Sequence, residues 1–233
     1  MALLTRRERP LDDGELTAFR ALVSRRADRE PVAYIVGRRG FRHVELVVDR
    51  RVLVPRPETE LLVEVGLELP PGARVLDVGT GSGAVALALK HERPDLLVIA
   101  SEVSAAALEV AAENARRLEL EVELVRADLL AGLDGPWDAV LANPPYVGLG
   151  ERERLAPEIA RHEPAGALFA GQDGLAVVRR LVREAAGRTA LVAVEVGAGQ
   201  ASAVRELMRG AGFADGGARR DLAGIERGVI GRS

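Results

Sequence analysis

The sequence predicts an α/β fold in which a mostly parallel sheet carries helices on both of its faces. From residue 74 onward, apolar runs of strand length alternate with helical patterns, and such alternation is typical of βαβ units. A glycine-rich turn at residues 79–83 follows the first apolar run, and an Asn-Pro-Pro-Tyr segment at residues 143–146 ends the fourth. Both segments are therefore expected at the carboxyl ends of parallel strands, the edge where open α/β sheets bind ligands.

The composition is that of a globular protein with an aliphatic core. Hydrophobic residues make up 48% of the sequence and charged residues 29%, which is ordinary for a globular protein. The length of 233 residues is sufficient for one large α/β domain with a small appendage. Because aromatic residues reach only 3%, the core is expected to consist mostly of Leu, Val and Ala. The absence of cysteine excludes a disulfide framework, a thiol nucleophile and a Cys-ligated metal. The three histidines are far apart in the sequence, so no metal site is predicted.

The charge and hydropathy patterns narrow the class of protein further. A net charge of −3 argues against a protein that coats nucleic acid, and no stable nucleic-acid binding is expected. No apolar run reaches the roughly 18 residues that a membrane helix requires, and the sequence starts with no signal-peptide pattern. The expectation is a cytoplasmic enzyme without a membrane segment.

Three regions are predicted along the chain. Residues 1–30 form a polar, arginine-rich arm with a short helix over 15–26, and this arm is either a linker or a docking element. Residues 1–51 carry a surplus of four positive charges, so the arm either meets an acidic protein surface or nearby RNA, or is a solvated tail without a function. Residues 31–71 are predicted to form a β-hairpin over 41–54, with its turn at 49–51, and a connecting helix over 59–69.

The third region, residues 72–233, is the main domain, and its elements follow from the alternation. Five strands are predicted over residues 74–78, 97–101, 122–126, 139–142 and 189–196. Four helices are predicted over residues 84–91, 104–118, 174–186 and 200–210. Two further strands are expected in the tail, over residues 213–218 and 225–230, so that the sheet has seven strands.

The glycine-rich turn indicates a nucleoside site. Its G-x-G-x-G spacing differs from the G-x-G-x-x-G of dinucleotide binders, and it contains no phosphate-gripping lysine. It suits a nucleoside joined to an amino acid, whose ammonium group Asp77 can contact. Glu102 ends the second strand, where a carboxylate can accept both ribose hydroxyls, and Asp128 ends the third, where it can meet an adenine amino group. Each acid alone could be a helix cap or a solvated loop residue, but three at consecutive strand ends favour a binding site.

The Asn-Pro-Pro-Tyr segment predicts a rigid group of hydrogen-bond acceptors. Proline cannot donate to a sheet ladder, and a residue before proline is extended, so Asn143 is held at the end of its strand. The Asn143 side chain and the backbone carbonyls of Asn143 and Pro144 can together grip an NH2 group, with Tyr146 as a flat wall. The alternative is a plain strand that ends in a Pro-Pro turn.

These two segments together resemble S-adenosylmethionine-dependent methyltransferases of class I, a Rossmann-like fold, that modify a planar nitrogen. Two groups carry Asn-Pro-Pro-Tyr, the adenine-N6 DNA methyltransferases and the protein glutamine-N5 methyltransferases. Over about residues 30–231 the chain resembles the second group, the release-factor glutamine methyltransferase family of the HemK/PrmC type. The further segments that carry this resemblance are residues 30–37, 54–60, 163–164, 167–168, 171–175, 195–197 with Gln200, and 221–227.

The resemblance implies a set of functional residues. The implied cofactor is S-adenosylmethionine, with S-adenosylhomocysteine as product, at Asp77, Gly79, Thr80, Gly81, Ser82, Gly83, Glu102, Val103, Asp128, Leu129 and Asn143. The implied catalytic residues are Asn143, Pro144, Pro145 and Tyr146, and the substrate is expected to contact these and Pro55, Arg56, Pro57 and Glu58. The family usually has an aromatic residue where this chain has Leu129, and several N-terminal helices where only about 30 residues precede the match.

The implied reaction is methylation of a glutamine side-chain nitrogen, in the Gly-Gly-Gln motif of a peptide-chain release factor, by a monomeric enzyme. The oxygens of Asn143 and Pro144 would orient the amide, Tyr146 would stack on it, and Phe41 is expected to cover the cofactor. Three alternatives stay open: adenine methylation of DNA, glutamine methylation of a ribosomal protein, and a non-catalytic module that keeps a nucleoside pocket.

Overall fold

The computed structural model describes residues 10–233 of the chain. The first part of the predicted arm, residues 1–9, lies outside the described residues. The rest of it contains helix α1 (Asp13–Ala27), which starts with a capping box between Asp12 and Glu15. None of its residues is buried, and ion pairs such as that between Arg26 and Glu158, at 2.8 Å, hold it against the body of the protein.

A short helix and a hairpin follow α1. Helix α2 (Val32–Val36) ends at Gly37, whose φ of 74° suits a residue without a Cβ. Strands β1 (Arg38–Phe41) and β2 (Val44–Val47) then pair antiparallel. The hairpin is therefore shorter and earlier than the sequence predicts, because it turns at residues 42–43.

The predicted position of that turn is wrong for a physical reason. Phe41 and Val44, directly opposite each other across the hairpin, are both buried, so the two-residue turn between them keeps both side chains in the core. The Arg42 guanidinium forms a bidentate ion pair with Glu92. Residues 49–51 do form a turn, in which the Val52 N–H donates to the Asp49 carbonyl, but this turn leads from β2 toward the main domain.

The main domain has the predicted alternation of elements. A single 3-10 turn (Pro57–Thr59) and helix α3 (Glu60–Leu67) precede it. Its strands are β3 (Arg74–Val78), β4 (Leu97–Glu102), β5 (Glu123–Arg126), β6 (Trp137–Ala142), β7 (Thr189–Glu195), β8 (Ala214–Arg220) and β9 (Glu226–Arg232). Its helices are α4 (Ala84–Glu92), α5 (Ala105–Leu118), α6 (Pro157–His162), α7 (Ala176–Ala185) and α8 (Ala201–Gly210).

The seven strands of the main domain form one sheet in the order β5-β4-β3-β6-β7-β9-β8. β3 to β7 are mutually parallel, whereas β9 runs antiparallel between β7 and β8. The strand order reverses at β3, which has β4 on one side and β6 on the other. This reversal opens a crevice at the carboxyl ends of β3, β4 and β6.

Two apolar clusters cover the two faces of the sheet. One contains α3, α4, α5 and the buried side chains of the hairpin, and the other contains α7, α8 and Trp137. The largest fully buried side chains are leucines and valines, as the scarcity of aromatic residues predicts. Phe41 belongs to the first of these clusters. Nowhere in residues 10–233 does a helix have the length and apolar character needed to cross a bilayer.

Candidate active site

A cavity of about 420 Å³ lies at the crevice where the strand order reverses. The sheet registers pair Val78 with Ser101 and with Ala142, so the residues that follow these three meet at one level. The cavity thus brings together residues that are far apart in the sequence. The predicted site residues that line it are Pro55, Arg56, Asp77, Gly79, Thr80, Gly81, Ser82, Glu102, Val103, Asp128, Leu129, Asn143, Pro144 and Pro145.

The glycine-rich turn forms the floor of this cavity. The N–H groups of Gly79 and Thr80 both donate to the Ser101 carbonyl, at 2.8 and 3.0 Å, which holds the turn against the end of β4. Gly79 and Gly81 have φ values of 71° and 57°, and no atom lies within 4 Å of the position that a Cβ would take. Glycine is thus required here by the backbone conformation, while the space above it stays open for a ligand.

Asp77, at the end of β3, is almost completely buried below the turn. Its Oδ2 accepts hydrogen bonds from the Thr80 hydroxyl at 2.6 Å and from the Ala86 N–H at 3.2 Å, so Oδ1 has lone pairs for a ligand. Burial raises the pKa of Asp77 to about 6, against the opposing effect of these two hydrogen bonds. A cationic ligand group in the cavity would favour the charged form of this carboxyl.

Glu102, the last residue of β4, presents a carboxylate that backbone groups hold in place. Its Oε2 accepts from the Gly81 N–H at 3.0 Å and its Oε1 from the Ser104 N–H at 2.9 Å. Each oxygen keeps a further lone pair. The group can therefore accept two hydroxyls side by side, as the sequence predicts for a ribose.

Asp128 has a partner that the sequence does not indicate. Its Oδ2 forms an ion pair with Arg180 of α7 at 2.9 Å, and both side chains are about half exposed. Leu129 beside it has a φ of 54°, a conformation unusual for a leucine, and also lines the cavity. Arg180 and Asp128 thus meet at the cavity, and a ligand amino group would share Asp128 with the guanidinium.

Asn143 follows β6, and a specific contact sets the direction of its side chain. Its Nδ2 donates to the Thr59 hydroxyl at 3.0 Å. The carboxamide oxygen is therefore on the other side of the group and can accept hydrogen bonds. Thr59, from the 3-10 turn before α3, is itself buried.

Tyr146 is half-buried beside the cavity and does not line it. Its carbonyl accepts from the Gln200 side chain at 2.9 Å, and the Gln200 oxygen accepts from the Gly197 N–H at 2.9 Å. Burial, with the nearby Glu195 carboxyl, raises the pKa of the Tyr146 hydroxyl to about 12. A Cβ at Gly174 would collide with the Tyr146 carbonyl, so two segments far apart in the sequence support this loop.

The segment at residues 55–58 forms part of one wall. Pro55 and Arg56 line the cavity, whereas Pro57 is exposed and Glu58 lies outside the lining. Arg56 forms an ion pair with the buried Glu163 at 2.5 Å. That contact fixes the segment against the loop that follows α6.

The residues that line the cavity and the predicted site residues differ at several positions. Gly83 does not line the cavity: it starts α4 with a φ of 85°, and a Cβ there would collide with Leu87. The cavity residues that the sequence analysis did not predict include Thr59, Arg180 and residues 51–53. Thr59 lies within a segment that carries the family resemblance, which was the available signal. The charge of Arg180 gave no such signal in a chain rich in arginine.

Within residues 10–233 no three His, Cys, Asp or Glu side chains come together in a way that could hold a metal ion. The cavity instead joins the carboxylates of Asp77 and Glu102 to the carboxamide of Asn143.

Two models of known protein families match the chain. Residues 57–187 match the methyltransferase small domain, and residues 1–37 match the PrmC N-terminal domain. The similarity thus extends to the start of the chain, beyond the segments that the motifs indicate.

Curated relatives are similar over almost the whole chain. A release factor glutamine methyltransferase from Burkholderia pseudomallei is 44% identical, over 99% of this chain and 85% of the relative. Proteins of the same name from Rhodospirillum rubrum and Deinococcus radiodurans are 39% and 42% identical, over 99% and 94% of this chain and 73% and 80% of the relatives.

Solved structures share the fold. A methyltransferase from Pyrococcus furiosus has a TM-score of 0.61 at 19% identity, over 80% of this chain and 87% of the other. A ribosomal protein L11 methylase from Lactobacillus delbrueckii has a TM-score of 0.55 at 22% identity, over 76% and 80% of the two chains. At these identities the likeness concerns the fold alone.

Proposed function

Because this chain belongs to the release factor glutamine methyltransferase family, we propose that it transfers a methyl group from S-adenosylmethionine to the side-chain nitrogen N5 of a glutamine, in the Gly-Gly-Gln motif of a peptide-chain release factor. The observation that carries the proposal is the position of Asn143. Its amide group is anchored through Nδ2 to Thr59, in a cavity that Asp77 and Glu102 also line.

The residues of the cavity fit the proposed cofactor. Its volume lies in the range of small-molecule sites, roughly 300–1,000 Å³. Glu102 would hold the ribose hydroxyls, Asp77 the ammonium of the methionine part, and Asp128 with Leu129 the adenine. When bound, S-adenosylmethionine supplies an electrophilic methyl group on a positively charged sulfur. The open space above Gly79 and Gly81 supports this fit, since a side chain at either position would project into it.

The protein's contribution to the chemistry is orientation. The nitrogen of a carboxamide is a poor nucleophile, because its lone pair is delocalised into the carbonyl. The Asn143 Oδ1 and the Pro144 carbonyl would accept its two N–H groups and hold the nitrogen toward the methyl group. Pro144 is buried and fixed by its ring, so this pair of acceptors is rigid. No strong general base is required, since an N-methylated amide loses its additional proton readily.

The entrance of the cavity suits an extended peptide. Pro55 and Arg56 lie on one side, and the ion pair of Arg56 with Glu163 keeps them in place. Tyr146 would contact the glutamine from the side that Gln200 supports. A release factor works at the ribosome, so we place the reaction in the cytoplasm, during translation termination, and we expect the enzyme to act as a monomer.

The other methylation substrates that the motif allows have less support. Adenine methylation of DNA would require a target-recognition region and a basic face, whereas the chain has a net charge of −3. A ribosomal protein is not favoured by the relatives at 38–44% identity, which are named for release factors.

The test is to incubate the protein with a purified release factor and labelled S-adenosylmethionine, and to locate the label by mass spectrometry. We expect one methyl group on the glutamine of Gly-Gly-Gln. A release factor with that glutamine replaced by glutamate is the matched control and should take up none. Label on another residue, or on DNA or a ribosomal protein in place of the release factor, would contradict the proposal.

A further inference from the structure

Glu195 is a buried acid beside the candidate site, with no role in the proposed chemistry so far. It is the last residue of β7 and only 3% exposed. Since the sheet register pairs Val194 with Ala142, Glu195 is level with Asn143 on the neighbouring strand. Among the residues that the structure describes, its Oε2 has no hydrogen-bond partner and is inaccessible to solvent. A buried carboxyl with an unpaired oxygen is costly to the fold, so its position calls for an explanation.

Thr59 is near both Glu195 and Asn143. The Thr59 hydroxyl accepts from the Asn143 Nδ2 at 3.0 Å, and it is close enough to the Glu195 carboxyl to favour the charged form of that acid. A threonine hydroxyl has a single proton to donate. If that proton is donated to Glu195, the Thr59 hydroxyl oxygen can only accept a hydrogen bond from Asn143. The carboxamide must then turn its NH2 group to Thr59 and its oxygen away from it.

We propose that Glu195 is a positioning residue that acts through Thr59 to fix the orientation of the Asn143 side chain, so that its oxygen faces the substrate amide. This inference rests on the proposed function, since it assigns the free Asn143 oxygen to a glutamine NH2. It gives a physical reason for the position of Glu195 at the end of β7, and for a buried threonine in the segment before α3.

The two orientations of Asn143 have opposite consequences. Without an acceptor at position 195, the Thr59 proton can turn to the Asn143 oxygen, and the carboxamide can then flip. The flipped group presents NH2 to the NH2 of the substrate, where no hydrogen bond can form. Flipping leaves the shape of the cavity unchanged, so the effect falls on methyl transfer and spares the binding of the cofactor.

The experiment compares Thr59→Val, which keeps the shape but removes the hydroxyl, with Glu195→Ala and with the double variant. We expect each single change to lower kcat on the order of tenfold to a hundredfold, because a misplaced amide attacks poorly. Thr59→Ser, which restores the hydroxyl, should recover most of the parent rate. Affinity for S-adenosylhomocysteine, measured by calorimetry, should stay within about twofold of the parent in all variants.

The double variant decides whether the two residues act in series. If Glu195 acts through Thr59, its removal adds little once the hydroxyl is gone, and the double variant should be about as slow as the slower single variant. Effects that multiply in the double variant, or single variants with an unchanged kcat, overturn the proposal. Thr189→Val is the matched control, since it removes another buried hydroxyl from the opposite end of β7 and should leave kcat unchanged.

A readout that does not need activity separates this inference from the proposed function. In 15N-labelled protein, the Asn143 side-chain NH2 should be protected from hydrogen exchange in the parent and in Thr59→Ser, but not in Thr59→Val or Glu195→Ala. If the parent methylates no release factor but shows this pattern, the proposed function fails while the orienting role of Glu195 stands. If the Asn143 NH2 is equally protected in all variants, the role of Glu195 is wrong whatever the substrate.

Discussion

At the scale of single residues, Asn143 and Glu102 separate the two tasks of the candidate site. Asn143 lies where β6 ends and has a carboxamide whose NH2 is already bonded to Thr59, so only its oxygen is left for a substrate. Glu102 lies across the cavity, and its two oxygens are held by backbone N–H groups. We therefore propose that Asn143 serves methyl transfer and Glu102 serves cofactor binding.

Asn143→Ala should abolish methyl transfer and leave cofactor affinity nearly intact. The change removes one acceptor of the substrate amide, and a misplacement of about 1 Å can cost on the order of a hundredfold in rate. Single-turnover transfer to a release factor and calorimetry with S-adenosylhomocysteine, on the same preparation, measure the two effects. Transfer at the parent rate would show that the acceptor corner is not used. A loss of both functions would make Asn143 part of the cofactor pocket.

Glu102→Ala should have the opposite profile. It removes a charged acceptor of two hydroxyl groups, and each such hydrogen bond contributes about 1.5–3 kcal/mol. The dissociation constant of S-adenosylmethionine should therefore rise by at least tenfold. Calorimetry checks this, with Glu206→Ala, an exposed acid of α8 outside the cavity lining, as the control. Equal affinities in the three proteins would remove Glu102 from the site.

At the scale of the elements, Asn114 of α5 joins three parts of the chain. It is completely buried. Its side chain bonds both the N–H and the C=O of Val47, at 2.7 and 3.0 Å, and donates to the Ser82 carbonyl at 2.9 Å. A single amide thus attaches strand β2 of the hairpin to the glycine-rich turn. The hairpin in this way reinforces the floor of the cavity without lining it.

Asn114→Ala should destabilise the protein by about 2–4 kcal/mol, because three backbone groups lose a buried partner. Affinity for S-adenosylhomocysteine should also fall, since Ser82 loses a constraint. Urea denaturation followed by circular dichroism measures the first effect and calorimetry the second. Arg116→Gln, on the exposed side of the same helix, should change stability by no more than about 0.5 kcal/mol. A similar small effect for Asn114→Ala would mean that the bridge contributes little.

At the scale of the whole molecule, two of the buried acids have a raised pKa. Burial raises the pKa of Glu195 to about 7 and that of Asp77 to about 6. Around Glu195, the Thr59 hydroxyl, Arg227 and Arg56 favour the charged form, whereas burial and the Glu58 carboxylate oppose it. The hydroxyl of Tyr146 lies close to the same carboxyl.

These shifts predict the sign of a pH dependence. The folded protein binds protons at these two acids that the unfolded chain releases, so their stabilising contribution is complete below about pH 4 and is lost as the pH rises toward 7. The Glu195→Gln variant lacks the pH-dependent stabilising contribution of Glu195. The free energy of unfolding of this variant relative to the parent should therefore increase between pH 4.5 and 7, by on the order of 3 kcal/mol. Urea denaturation at several pH values measures it, and a constant difference across that range would show that Glu195 has an ordinary pKa.

The N-terminal arm is also a feature of the whole molecule. Arg26 and Arg29 already pair with Glu158, whereas Phe19 and Val23 of α1 are about half exposed. Deletion of residues 1–28 should raise the KM for the release factor at low salt, with a smaller effect at high salt, because charged contacts are screened. Cofactor affinity is the internal control. A KM at low salt equal to that of the parent would mean that the arm takes no part in docking.

Much of the fold and part of the site can be predicted from the sequence, because they depend on local pattern. The alternation of strand and helix patterns after residue 74 predicts the parallel strands, and the glycines at 79–83 predict a turn that no other residue type adopts easily. The presence of Asp77 and Glu102 at the cavity can be predicted because each acid lies at the end of a predicted strand. The predicted position of the hairpin turn is wrong by several residues, since the turn at residues 42–43 keeps Phe41 and Val44 in a core that distant segments complete.

What the sequence by itself determined is the order of the elements, the place of a cavity at the carboxyl ends of the strands, and the family. What only the tertiary structure decided is which groups meet there: Thr59 with Asn143, Arg180 with Asp128, and Gln200 with Tyr146. The physical reason is that strand patterns and glycine turns are encoded within a few neighbouring residues. The partner of a buried side chain, by contrast, depends on how distant segments pack against one sheet.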